Sequence, residues 1–356
     1  MAPHDRLRTR GSAQPLEAGT WWYAAVAGEA ADSFSARVRK RMRHAWLGSV
    51  LLVAIVYAGL TLTATGQRWE NAVLVGGLTD GLTDGTSAAG TLAAASEASG
   101  TLQHLTVFSL AVALIVLTAI GMVRGRYALT VAALGTVAGS LVLAEVLQRF
   151  LLGRPDLVGA PPLLAQNTFP SGHTAVAASV MAGLVLVVPY AARGWAVGLC
   201  ALWSTAVGTY TVAAGWNRPS DTIGADLLVL AVACGYLAVL ARRGKVATAR
   251  TGPVPLRTLV VTVPLAVVAV CGLSLGTSLL VESMFVLDPA DPSVPRIAHQ
   301  AGPALVAGAG AAVALLLLGL LRRVDVGVRP APYRLASTVV DEEAGPFPTE
   351  ADHEIS

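Results

Sequence analysis

Eight blocks of apolar residues alternate with shorter polar segments along the chain. Each block has about the ~20 residues that a helix needs to cross a bilayer. Lipid offers no hydrogen-bond partners to the backbone, so each block is predicted to be a helix rather than a strand of an open sheet. The blocks are 46–65, 105–123, 127–147, 173–191, 195–215, 222–241, 258–280 and 303–321. The pattern predicts an all-α, polytopic helical membrane protein.

The polar segments divide the chain into four predicted parts. These are a basic tail (1–45), a six-span core (46–241), two additional transmembrane helices with their connecting loops (242–321) and an acidic, disordered tail (322–356). The first tail is either loose or holds an interfacial helix around Trp21 and Trp22. Residues 67–104 are rich in Gly, Thr, Ser and Ala, which predicts a flexible loop.

Composition supports a membrane location. Of the 356 residues, 54% are hydrophobic and 13% are charged, whereas a soluble domain carries about 25% charged residues. On the predicted topology, 20 of the 25 basic residues lie on the side of both termini. The positive-inside rule then predicts cytoplasmic termini in the plasma (inner) membrane. The basic residues are membrane anchors on this interpretation, so no nucleic-acid partner is predicted. The three cysteines fall inside spans and are interpreted as small buried hydrophobes.

Candidate chemistry gathers on the opposite, extracytoplasmic face. Arg149, Arg154 and Arg218 lie there, together with His173 near a helix start whose predicted N-cap is Ser171. Guanidinium groups match phosphate oxygens, a helix N-terminus favours an anion, and an imidazole transfers protons. The combination predicts a phosphate site that needs neither a metal nor another cofactor, because arginines take the place of a cation.

Each residue taken alone also has a structural interpretation. A single arginine at the membrane edge often only extends toward headgroups. Arg149 lies four residues after Glu145, which can neutralise it. Asp221 is most simply a helix N-cap. The phosphate interpretation therefore depends on three segments that lie on the same face: the end of the third block, the start of the fourth block, and the link between the fifth and sixth blocks.

Each of these three segments contains a short motif that resembles one of a known family. "GRP", "PSGH" and "RPSD" are similar to the signature segments of the type 2 phosphatidic acid phosphatase (lipid phosphate phosphatase) family, relatives of the vanadium haloperoxidases. The resemblance covers roughly residues 46–241. It implies phosphate contacts from Arg154, Ser171 and Gly172, a general acid at His173, and an Asp221 that orients a nucleophilic histidine. It further implies a lipid or polyprenyl phosphate as substrate, with its tail in the bilayer.

Two of the family's positively charged positions differ here. Leu147 stands at the position of the first-segment Lys, although Arg149 follows two residues later. Tyr210 and Thr211 stand at the Ser-Arg pair of the third segment, and Arg218 is the candidate replacement for the lost charge. Arg149 and Arg218 are therefore added to the predicted phosphate contacts.

The nucleophile position is Asn217. The family forms a phosphohistidine, and a carboxamide cannot replace the imidazole because its nitrogen lone pair is delocalised into the carbonyl. Three accounts remain open from the sequence. His173 acts as the sole imidazole while water attacks, another outer histidine (His104 or His299) takes over, or the site binds a phosphorylated lipid without cleaving it.

The sequence thus supports two main functions. One is a membrane phosphatase that hydrolyses phosphomonoesters or pyrophosphates of lipids at the extracytoplasmic face. The other is a pseudophosphatase that binds phosphorylated lipids or organises partners. A transporter is a third hypothesis, based on the additional helices and on Glu145 and Asp226 at membrane depth.

Overall fold

The computed structural model describes residues 20–83, 88–249 and 256–326. Residues 1–19 and 327–356, which make up much of both predicted tails, lie outside the described residues. The helices are α1 (Thr20–Val56), α2 (Ala64–Thr83), α3 (Ala88–Val123), α4 (Tyr127–Val146), α5 (Pro162–Ala165), α6 (Gly172–Val187), α7 (Arg193–Ala213), α8 (Pro219–Arg242), α9 (Leu256–Val281) and α10 (Val294–Leu320). Two short strands, β1 (Val246–Thr248) and β2 (Val324–Val326), pair antiparallel.

Seven helical segments are long and apolar enough to cross a membrane. They are Gly28–Thr61, Thr106–Val123, Tyr127–Leu151, Arg193–Ala213, Pro219–Arg242, Leu259–Val286 and Val294–Leu320. These segments correspond to seven of the eight predicted blocks, and α6 accounts for the remaining one. The prediction of an all-α, polytopic membrane protein is confirmed.

The helix α6 is shorter than predicted, with 16 residues. It ends at Val187 because Val188 is extended and Pro189 follows, and proline cannot continue the ladder of backbone hydrogen bonds. Most of its residues are buried among α3, α4, α7 and α8. Small side chains such as Ala178 and Gly183 allow these neighbours to approach closely. The candidate site begins at the N-terminus of this central helix.

The prediction of a flexible loop at 67–104 is wrong. Apart from residues 84–87, which lie outside the described part, this segment belongs to α2 and α3. Glycine and threonine have weak helix propensity, but tertiary packing overrides so small a preference. The loose tail is also wrong from Thr20 onward, because α1 is one continuous helix of 37 residues.

The last two helices are built into the bundle. Helix α10 packs against α2, α7, α8 and α9. At the crossing with α9, a Cβ atom on Gly272 would lie 2.8 Å from the carbonyl oxygen of Ala304, so only glycine allows this approach. At the other end, the Arg193 guanidinium donates to the carbonyl of Val324 in β2 at 2.7 Å. Whether 242–321 forms a separate domain remains a prediction.

Helix α2 is held in place by the last two helices. Trp69 Nε1 donates to Ser283 Oγ at 3.1 Å, just after α9. His299 Nδ1, in α10, lies 3.0 Å from the carbonyl oxygen of Val73. These contacts fix the part of α2 that contains Glu70, and they engage one of the histidines considered above as a replacement nucleophile.

Asp226 lies in the interior of the bundle, on the second turn of α8. It is buried, and it faces the place where α10 and α7 meet. A Cβ atom added to Gly310 would lie 3.4 Å from Asp226 Oδ2 and 3.1 Å from Thr205 Oγ1. Asp226 is therefore separate from the predicted phosphate contacts, which gather at the N-terminal ends of α6 and α8.

Candidate active site

The loop that carries Arg154 follows the end of α4 and is fixed from two sides. After one π-helical turn at Leu147–Leu151 the chain becomes extended. Asn167 Nδ2 donates to the carbonyl of Leu152 at 2.7 Å. Gln67 Nε2, from α2, donates to the carbonyl of Pro155 at 2.6 Å. The carbonyls on both sides of Arg154 in this extended segment thus have partners on neighbouring segments, and the Arg154 backbone is held between them.

The same loop contains a tight turn around Asp156. Its carboxylate accepts hydrogen bonds from the amides of Ala160 at 3.1 Å and Val158 at 3.2 Å. These hydrogen bonds lower the pKa of the Asp156 carboxyl below its ordinary value, with a smaller contribution from the charge of Arg154. The turn therefore keeps its negative charge at neutral pH and holds its shape beside Arg154.

Ser171 joins the beginnings of α6 and α8. It is the N-cap of α6, as predicted, and its Oγ accepts a hydrogen bond from the amide of Thr174 at 3.4 Å. Its own amide donates to the carbonyl of Asp221 at 2.9 Å. Asn217 Nδ2 donates to the same Ser171 Oγ at 2.8 Å. The nucleophile position and the second family segment are thus in direct contact.

Asp221 stabilises the start of α8, but from the third helical position. The interpretation of Asp221 as the N-cap is wrong, because the helix begins at Pro219 and Arg218 is its N-cap. Asp221 Oδ2 accepts from the amide of Arg218 at 2.8 Å, and the Thr168 hydroxyl donates to the same oxygen at 2.5 Å. A carboxylate at the third position of a helix that reaches back to the N-cap amide is a capping-box arrangement. The acid that would orient a catalytic histidine in the family therefore holds backbone and hydroxyl groups here.

The Arg218 guanidinium points back over the chain that precedes α6. Its Nη1 donates to the carbonyl of Gln166 and to the hydroxyl of Thr168, both at 3.0 Å. Burial lowers the pKa of Arg218, and the Asp221 carboxylate opposes that shift. Because a guanidinium loses its proton only far above neutral pH, Arg218 stays charged. The buried positive charge needs a compensating anion.

Glu70 provides that anion, and the sequence analysis missed it. Its side chain is 0% exposed, and Oε2 lies 2.8 Å from Arg154 Nη1 and 4.0 Å from Arg218 Nε. The amide of Ser220, in the first turn of α8, donates to Glu70 Oε1 at 3.4 Å. Both guanidinium groups are less than 5% exposed. A carboxylate from α2 thus lies between the two arginines that were predicted to hold phosphate.

Several buried donors around Glu70 have no hydrogen-bond partner among the described residues. They are Arg154 Nη2, Arg218 Nε and Ser220 Oγ. Buried polar groups are nearly always paired, so an unpaired group indicates an additional ligand or a functional constraint. We call the set Glu70, Arg154, Arg218 and Ser220 the anion site. It offers more donors than one carboxylate can accept.

Other predicted residues form no hydrogen bond or ion pair with the anion site in the part of the chain that the structure describes. Arg149 is 68% exposed and pairs with Glu145 at 2.5 Å, as its spacing of four residues allows. Gly172 is exposed at the start of α6, and His173 beside it is half-buried. None of the hydrogen bonds or ion pairs described for the structure involves His173. His104 is exposed in α3. The structure therefore brings together Arg154, Ser171, Asn217, Arg218 and Asp221.

Residues 129–247 match the family model of the PAP2 superfamily. We call this segment the PAP2 domain after that match. It runs from α4 through α8 and contains all three signature segments, so the resemblance to type 2 phosphatidic acid phosphatases is confirmed. The domain supports a phosphatase-type function. Glu70, α9 and α10 lie outside the matched segment. Neither the curated proteins nor the solved structures gave a match to the chain.

The PAP2 domain depends on a close contact between Gly224 and Phe169. Phe169 is buried two residues before Ser171, and a Cβ atom on Gly224 of α8 would overlap its ring. Gly224→Ala is expected to lose about 1–3 kcal/mol of stability, because a core without space must shift. The measurement is the melting temperature in detergent. The matched control is Gly235→Ala on the same helix, where the nearest atom is 3.9 Å away. Equal melting temperatures for the two variants would contradict this account.

Proposed function

We propose that this protein binds the phosphate end of a lipid or polyprenyl phosphate at the anion site and does not hydrolyse it through a phosphohistidine. The observation that carries the proposal is the environment of Asn217. Its amide donates to Ser171 Oγ at 2.8 Å, and Asp221 is engaged by Arg218 and Thr168. The position that would attack phosphorus therefore carries a hydrogen-bond donor without nucleophilic character. The protein is a pseudophosphatase on this proposal.

The anion site supports phosphate recognition. Two buried guanidinium groups and the Ser220 amide converge on one carboxylate at the N-terminus of α8. Guanidinium groups and helix N-termini are the groups that most often bind phosphate oxygens in proteins. The Glu70 carboxylate marks the position at which this protein holds negative charge.

The setting favours a lipid-borne phosphate. Phe150 and Leu151 are largely exposed at the end of α4, next to the loop that carries Arg154. Exposed apolar side chains in a multi-pass membrane protein contact lipid tails, so a prenyl or acyl chain can lie beside the helices while its phosphate reaches the site. The distribution of basic residues favours a site on the extracytoplasmic face of the plasma (inner) membrane, with both termini in the cytoplasm.

Hydrolysis by direct attack of water is the second candidate function. It is favoured by the PAP2 domain and by His173, which stands at the family's general-acid position two residues after Ser171. In this mechanism His173 protonates the leaving oxygen while Arg154 and Arg218 neutralise the phosphate. This reaction is expected to be slow. Without a covalent phosphohistidine intermediate, hydrolysis must occur in one step with a high barrier instead of two steps with lower barriers.

Phosphate release and lipid binding by the purified protein separate these candidates. The substrates are a panel of lipid and prenyl phosphates, and the variants are wild type and His173→Ala. We expect binding without release above the protein-free background. Repeated turnover that is lost in His173→Ala would establish the second candidate and overturn the first. Absence of both binding and release would contradict the anion site itself.

A further inference from the structure

We infer that Glu70 acts as a built-in competing anion, which makes the site select phosphate monoesters and pyrophosphates over the phosphodiester headgroups of bulk lipids. This inference rests on the proposed function, because it assumes that the anion site receives a lipid phosphate. It assigns a specificity-determining role to a residue outside the PAP2 domain.

Geometry places Glu70 where the ligand must bind. Oε2 forms the 2.8 Å ion pair with Arg154, and Oε1 accepts from the Ser220 amide at 3.4 Å. The carboxylate has no solvent exposure. A phosphate that reaches both guanidinium groups must therefore displace it. After displacement, three or four phosphate oxygens are available for Arg154 Nη2, Arg218 Nε and Ser220 Oγ, which the carboxylate leaves unpaired among the described residues.

Charge determines which ligands can achieve this displacement. A phosphate monoester carries about −1.5 to −2 charges at pH 7, because its second pKa is about 6. A phosphodiester, like Glu70, carries a single negative charge. Exchanging Glu70 for a diester gains no charge and requires the carboxylate to leave its buried position. Exchanging it for a monoester brings additional charge to two guanidinium groups with little solvent screening, where electrostatic interactions are strong.

Membrane composition makes such selection useful. Phosphodiester lipids surround the protein at high local concentration, so an open pair of arginines would be occupied by them. An attached carboxylate competes at a high effective concentration that does not depend on the lipid mixture. Only a ligand with more charge, or with better hydrogen bonding, then occupies the site.

The last two helices set the strength of this competition. Trp69, the neighbour of Glu70, is held by Ser283 just after α9, and Val73 is held by His299 of α10. These contacts keep the Glu70 segment of α2 against the PAP2 domain. Weakening them is expected to make displacement of Glu70 easier.

The test compares affinities for short-chain phosphatidic acid, a monoester, and short-chain phosphatidylglycerol, a diester, in detergent. Wild type is expected to bind phosphatidic acid at least about tenfold more tightly, which corresponds to ~1.4 kcal/mol. Glu70→Gln is expected to bind both lipids more tightly and to reduce the ratio toward one. The control is Glu282→Gln, which removes an exposed carboxylate next to Ser283 and is expected to leave the ratio unchanged.

The outcomes distinguish this inference from the proposed function. If wild type binds neither lipid, the proposed function fails and the inference fails with it. If wild type prefers phosphatidic acid and Glu70→Gln keeps the same ratio, only the inference fails. Trp69→Phe covers the case in which Glu70→Gln does not fold. It keeps an aromatic ring but loses the hydrogen bond to Ser283, and we expect it to lower the ratio. An unchanged ratio in Trp69→Phe would overturn the inference in that case.

Discussion

The variant Asn217→His is expected to release phosphate from a lipid monoester at least about 100-fold above the protein-free background, because it restores the covalent route. Wild type is expected to remain at that background. The surrounding groups are already present. Ser171 Oγ lies 2.8 Å from the Asn217 side-chain nitrogen, and Asp221 lies one helical turn along the chain. The two hydrogen bonds described for the Asp221 carboxylate both go to Oδ2, and among the described residues none goes to Oδ1. An imidazole N–H at position 217 is therefore expected to donate to Oδ1.

Two control variants show whether the gain has the expected origin. Asn217→Gln changes size without adding a nucleophile and is expected to remain as slow as wild type. Adding His173→Ala to Asn217→His is expected to remove the gained activity, because the leaving oxygen then lacks its proton donor. A radiolabelled lipid phosphate should also leave an acid-labile phosphoenzyme with Asn217→His. An Asn217→His protein that binds the lipid but releases no phosphate would show that the pocket does not position a nucleophile.

The transmembrane helices could be predicted from the sequence because lipid imposes a single solution on long apolar segments. The segment 67–104 could not be predicted in the same way. Its many Gly, Thr and Ser residues favour a loop, but α2 packs as a helix against α10, which lies more than 200 residues later. Helix propensity depends on the residues of the segment itself, whereas the packing of α2 against α10 depends on residues far away in the sequence. The same limit explains the early start of α10, where Pro303 is tolerated inside the helix.

The candidate site shows a similar division. Arg154, Ser171, Asn217, Arg218 and Asp221 could be identified because the family's spacing places them on one face, and the structure brings them together. Glu70 could not, since its ion pair with Arg154 joins residues 84 positions apart. Glu70 lies in the polar stretch "QRWEN", outside the three family segments, and nothing in its spacing indicated that partner.

The ion pair of Arg149 shows the opposite situation. Arg149 was grouped with the phosphate contacts because it replaces the family's Lys near Leu147. Its spacing from Glu145 already allowed a local ion pair, and the structure contains that pair. An ion pair between residues four positions apart can therefore be predicted from spacing, whereas the carboxylate of Glu70 between two distant arginines cannot. Which arginines remain able to bind phosphate could therefore be learned only from the three-dimensional structure.

Arg154→Met is expected to be the most destabilising of the charge substitutions, with a loss of about 3–5 kcal/mol in the free energy of unfolding. Arg154 makes the closest ion pair to Glu70, and both side chains are nearly inaccessible to water. Removing the guanidinium leaves a buried carboxylate with a distant Arg218 and one backbone amide. The measurement is unfolding in mixed detergent micelles. The control is Arg149→Met, whose exposed pair with Glu145 is expected to contribute at most about 1 kcal/mol.

A second substitution tests whether the loss comes from the uncompensated charge. If it does, adding Glu70→Gln to Arg154→Met should recover part of the stability, because the carboxylate that lost its partner is gone. The double variant should then be more stable than the sum of the two single effects, which is the signature of direct coupling. Arg154→Lys should lie between Met and wild type, since an ammonium group keeps the charge without the planar fork. Strictly additive effects would mean that Glu70 and Arg154 are stabilised by other groups, and that the carboxylate is not held by the arginine it must release when phosphate binds.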